Sequence, residues 1–70
     1  MSGIAELGPI LTVPEAANYL KLSKSKVYIL VKRNQIPHIK IGKNVRIRRA
    51  DLLKWLEKQA YPGNEFLSGI

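Results

Sequence analysis

At Ile36-Pro37 the hydrophobic periodicity of this sequence changes from helical to alternating, and that switch restricts the fold more than any other feature. Before it, Val13, Ala16, Ala17 and Leu20 recur at helical spacing, as do Val27, Leu30 and Val31. After it, Ile39 and Ile41 alternate with His38 and Lys40, and Val45 and Ile47 alternate with Arg46 and Arg48. Gly42-Lys43-Asn44 supplies a short turn between the two runs. The chain is therefore mixed α+β. A two-stranded hairpin is marginal in water, so its apolar face must pack on the helices. With 70 residues, there is room for one small domain.

Local signals bound the elements. Thr12-Val13-Pro14-Glu15 matches a capping box. The Thr12 hydroxyl accepts from the Glu15 amide, the Glu15 carboxylate reaches back, and Pro14 occupies a first-turn position where its missing N–H is harmless. The pattern predicts a helix over about residues 13–20, a break at Lys21-Leu22-Ser23, and a second helix over 24–33 with Ser23 as N-cap. Asn34 is placed to end that helix in a left-handed conformation. Two helices joined by so short a turn form a helix-turn-helix unit. A third helix is expected from about Ala50 to Gln59 or Ala60, with Leu52, Leu53 and Leu56 as its inner stripe and Trp55 at the flank. Residues 1–10, with Gly3, Gly8 and Pro9, read as a flexible lead-in, residues 11–60 as the folded domain, and residues 61–70, broken by Pro62-Gly63, as a flexible tail.

Several function classes drop out. There are no cysteines, which removes a disulfide framework, a thiolate zinc site and a cysteine nucleophile, and which suits a reducing compartment. His38 is the only histidine, so no metal site and no cofactor are expected. The five acids show no paired arrangement, and nothing offers a nucleophile with a base to activate it; an enzyme with a small-molecule substrate is not expected. No apolar run approaches the roughly 20 residues that a membrane span needs. Met1 to Pro9 lacks the basic-then-apolar layout of a signal peptide, so the cytoplasm is the expected compartment.

Charge points to the partner. Twelve Lys and Arg against five Asp and Glu give a net charge of +7. Residues 21–50 hold ten of those twelve bases and no acid, while the flanks are mildly acidic. A field concentrated in this way attracts polyanions, either nucleic acid or an anionic membrane surface. A merely solvated basic face would be more evenly interspersed with acids.

The ordered series Thr12-Val13-Pro14-Glu15-Ala16-Ala17, Ser23-Lys24-Ser25-Lys26-Val27-Tyr28, Ile36-Pro37, Ile41-Gly42-Lys43, Arg46-Ile47-Arg48-Arg49-Ala50-Asp51-Leu52 and Trp55-Leu56 resembles the excisionase-family helix-turn-helix domain. That family comprises small relatives of the mercury-resistance-regulator winged helices. The resemblance covers about residues 11–58 and lies in the order of the series, since no single element is specific. It implies a small winged helix: a helix-turn-helix, a two-stranded β-hairpin wing and a C-terminal helix. It further implies that the second helix enters the major groove of double-stranded DNA while the hairpin contacts the backbone or an adjacent minor groove. Family members bend DNA to direct an integrase, or serve as small transcriptional regulators. The chain departs from the family pattern twice, with Ile29 where an arginine is usual and Asn34 where a glycine is usual. An exposed isoleucine is suited to a thymine methyl group.

The candidate DNA-binding residues follow. On the second helix they are Ser23, Lys24, Ser25, Lys26, Tyr28, Ile29, Lys32 and Arg33; on the hairpin they are Lys40, Lys43, Asn44, Arg46 and Arg48. Several have purely structural alternatives. Ser23 is already explained as a cap, Tyr28 as partial core, Arg46 as one half of an ion pair, and Arg48 as a partner of Asp51 or Glu15. The expected function is that of an excisionase acting with an integrase and with further copies of itself on DNA. The alternatives are a prophage or plasmid transcriptional regulator and, from a different class, an RNA-binding or protein-interaction module.

Overall fold

Thr12 closes the first turn of helix α1 (Val13–Leu20) from both sides. The Glu15 amide donates to Thr12 Oγ1 at 3.2 Å, and the Thr12 amide donates to Glu15 Oε1 at 2.9 Å, so two amides left over by the helix start are satisfied reciprocally. Pro14 sits in the first turn as expected. Thr12→Ala removes the hydroxyl half of the box and is expected to cost about 1 kcal/mol. A urea titration followed by circular dichroism should show a lower midpoint with an unchanged slope.

The computed structural model describes residues 7–60; the rest of the expected lead-in and the whole of the expected 61–70 tail lie outside them. Past α1 the chain turns at Lys21, in the left-handed region at φ 61°, and enters α2 (Lys24–Lys32). Ser23 caps it, accepting from the Lys26 amide at 3.1 Å. At the far end Asn34 takes φ 55°. There the Asn34 amide donates to the Val31 carbonyl at 3.0 Å and the Gln35 amide to the Leu30 carbonyl at 2.8 Å, the paired bonds of a left-handed helix stop. Strands β2 (Ile39–Ile41) and β3 (Asn44–Arg48) form the hairpin, and α3 (Arg49–Gln59) follows directly. The fold class is the expected one, a small α+β winged helix.

Three details differ from the sequence expectation. First, the hairpin is part of a three-stranded antiparallel sheet, because Ile10–Thr12 form a strand, β1, on the other side of β3. The lead-in accordingly ends sooner than residue 10, and Leu7 packs against the core. A strand of three residues is too short to declare itself by alternation. It exists because β3 offers a free edge, and the Arg49 amide extends the contact by donating to the Pro9 carbonyl at 2.9 Å.

Second, the alternation read with Gly42-Lys43-Asn44 as the turn predicts a hairpin with Ile39, Ile41, Val45 and Ile47 on one apolar face and the basic residues on the other, and the hairpin does not divide in that way. Ile39 pairs with Arg46, Lys40 with Val45 and Ile41 with Asn44, leaving Gly42-Lys43 as a two-residue loop with Gly42 at φ 62°. Ile39 and Ile41 therefore share a sheet face with Arg46 and Arg48, and Lys40 shares the other with Val45 and Ile47. Third, α3 turns Leu52 and Trp55 inward, while Leu53 and Leu56 are each 36% exposed.

The core is assembled from every element except β2. Leu11 and Ile47, opposite each other in the sheet, are fully buried, and Val13, Ala16, Ala17, Val27, Val31, Ile36 and Leu52 complete the buried core. The two alanines let α1 approach α2 closely. Burial of Val27 and Val31 fixes the rotation of α2 about its axis, and this decides which residues it shows to solvent.

Candidate nucleic-acid interface

With Val27 and Val31 buried and Leu30 half-buried, the helical period of about 100° per residue turns Ser25, Ile29 and Lys32 directly away from the core. Tyr28 and Arg33 lie on the two flanks of that face, and Lys24 and Lys26 lie in the first turn. All seven are exposed, as is Ser23. Tyr28 is 51% exposed, so the partial-core alternative does not hold for it. Ser23, by contrast, is engaged as the α2 cap, and any contact to a ligand would be additional to that bond.

On the hairpin, Lys43 is in the two-residue loop and is exposed, with Lys40 and Asn44 exposed beside it. Arg46 is half-buried between Thr12 of β1 and Ile39 of β2, its partners across the sheet. Its Nη1 donates to the Val45 carbonyl at 2.8 Å rather than to a carboxylate. Arg48 is the candidate with a competing partner: its Nε donates to Asp51 Oδ2 at 2.8 Å. Both side chains reach solvent, so this pair contributes no more than about 1 kcal/mol and leaves the guanidinium partly available. It also sets a carboxylate in the first turn of α3, where the backbone amides favour negative charge.

Sequence reasoning missed a contact that ties α3 to the segment between these two surfaces. The Trp55 indole of α3 donates to the Gln35 carbonyl at 2.9 Å, across the segment joining α2 to β2. Nearby, His38 Nδ1 donates to the Ile36 carbonyl at 2.9 Å. Trp55 and residues 34–38 line a shallow, open depression of about 380 Å³. The signal was present in Trp55 itself, since a tryptophan beside the core generally finds a partner for its N–H. The identity of that partner was not readable, because it lies 20 residues away in the chain. Among the described residues there is no group of three or more side chains suited to a metal ion, and no helix is long and apolar enough to cross a membrane.

A family model described as a helix-turn-helix domain matches residues 10–60, from the first residue of β1 to the end of α3. The chain belongs to the helix-turn-helix domain family. No curated protein and no solved structure matches it significantly. As a helix-turn-helix domain it is a DNA-binding module, of a kind generally without catalytic activity; proteins built on this motif commonly lay the second helix in the major groove. In this helix-turn-helix domain the second helix is α2, and its outward face is the one built above.

Proposed function

We propose that this helix-turn-helix domain is an excisionase, a recombination directionality factor that binds and bends a specific duplex so that an integrase can excise a phage or other mobile element. The reading is supported above all by the ordered motif series. It runs from the Thr12-Val13-Pro14-Glu15 capping box through Ser23 at the start of α2 and Lys43 in the hairpin loop to Trp55-Leu56 in α3. In this reading Ser25, Tyr28 and Ile29 face base edges, while Ser23, Lys24, Lys26, Lys32 and Arg33 meet phosphates. Lys40, Lys43, Asn44, Arg46 and Arg48 hold the adjoining backbone or minor groove. Phosphate contacts fix the register of the protein on the duplex, and base-edge contacts choose the site.

One nine-residue helix reads only a few base pairs. Specificity then comes from further copies on neighbouring sites and from the integrase. Side-by-side copies also bend the duplex, since each added set of phosphate contacts offsets part of the deformation energy. The test pairs a circular-permutation gel shift with an excision assay using the integrase of the same genetic element. Bending together with protein-dependent excision is the expected result. Promoter repression without any effect on excision would overturn this reading in favour of a transcriptional regulator.

A further inference from the structure

The fold accounts for every apolar residue of α2 except those on its outward side. Val27 and Val31 are buried and Leu30 packs on the core, yet Ile29 is 44% exposed. It stands at the centre of the face opposite the core, one turn from Ser25 on one side and from Lys32 and Arg33 on the other, all exposed. Isolated exposed apolar residues are ordinary on protein surfaces. Ile10 and Ile41 are at least as exposed but lie on strands; what distinguishes Ile29 is its place at the centre of the α2 face turned away from the core. A β-branched residue on a solvated helix face also lowers helix propensity relative to alanine or lysine.

The surroundings narrow what such a side chain suits. Lysine and arginine supply charge to phosphates, which carry no sequence information, and a serine hydroxyl bonds to any base. Of the groups displayed in the major groove, one is apolar: the C5 methyl of thymine. A branched aliphatic side chain in the middle of a polar helix face has no other complementary feature there. We propose that Ile29 is a specificity-determining residue that packs against a thymine methyl group, so that the preferred site carries thymine at that step. The inference rests on the reading of α2 as the helix that enters the major groove.

The test isolates the methyl. Duplexes are selected from a random pool with the full wild-type chain, and each thymine of the enriched site is replaced in turn by uracil, which differs only in lacking that methyl. Anisotropy titrations are expected to show about a 4-fold loss of wild-type affinity at one such position, the worth of one buried methyl-sized group. Ile29→Ala is expected to bind the thymine and uracil duplexes equally, and Ile29→Val to keep part of the difference. Because position 29 lies on the outward face, both variants should remain folded, which melting curves check. If uracil is tolerated at every position while Lys32→Ala still weakens binding, the methyl contact is wrong and the α2 reading stands. If no site is enriched, or if Ser25→Ala and Lys32→Ala bind as the wild type does, the α2 reading fails and the inference fails with it.

Discussion

Ile47→Ala is expected to leave most of the chain unfolded at 37 °C, and Ile47→Val to leave it folded with a clearly lower urea midpoint. Ile47 is fully buried on the central strand of the sheet, opposite Leu11, which is also fully buried. Strand β3 is the one element that touches both other strands and also α1 and α3. Truncating a buried isoleucine to alanine costs about 2–5 kcal/mol, the loss of transfer free energy plus the cavity left behind. A domain of this size rarely holds more than about 3–5 kcal/mol in total. The substitution therefore consumes most of the available stability, whereas removing one methylene costs about 0.5–1.5 kcal/mol. Circular dichroism and amide chemical-shift dispersion check both. An Ile47→Ala variant that still unfolds cooperatively with less than about 1 kcal/mol lost would mean that the sheet is not the stabilising centre of this fold.

That centre was only half legible in the sequence, and the reason is geometric. Helix starts and stops are local: the Thr12–Glu15 box, Ser23 and the left-handed Asn34 each occupy the predicted place because their partners lie within a turn. Strand pairing is not local. Reading Gly42-Lys43-Asn44 as the turn places Ile39 and Ile41 on the face of Val45 and Ile47. The observed loop is one residue shorter, and a one-residue change of register sends the whole strand to the other face. The isoleucines accordingly lie beside Arg46. Strand β1 was invisible for the same reason, since it is defined by its partner rather than by its own pattern.

In α3 the four large apolar residues offer two overlapping pairs, 52 with 55 and 53 with 56, and periodicity cannot choose between them. Packing chose Leu52 and Trp55, and the indole is held by the Gln35 carbonyl. The outward face of α2 was more accessible to sequence reasoning, because two buried valines suffice to orient a helix. What that face contacts is written in chemistry rather than in pattern, which is why the basic segment over residues 21–50 is a better guide to function than any of the strands.

Affinity for duplex DNA is expected to fall about a thousandfold between 50 and 200 mM salt, the larger of the two effects. Lys24, Lys26, Lys32 and Arg33 on α2 and Lys40 and Lys43 on the hairpin are all exposed, and the described residues give none of them a carboxylate partner. If each neutralises one phosphate, the log–log slope is about −5, at −0.9 per contact. Lys32→Ala combined with Lys43→Ala should reduce that slope by about 1.8, because one cation is lost from the helix and one from the hairpin loop. Arg48→Ala should change it less, since Asp51 already offsets part of that charge. Ile29→Ala should leave the slope unaltered while altering the preferred sequence, which separates the electrostatic term from the reading of bases. Anisotropy titrations at several salt concentrations, with single-stranded RNA as the control, measure all four. A slope shallower than about −2, or equal affinity for the RNA, would mean that the basic segment serves a partner other than duplex DNA. The six cations would then be the footprint of an RNA-binding or protein-interaction surface.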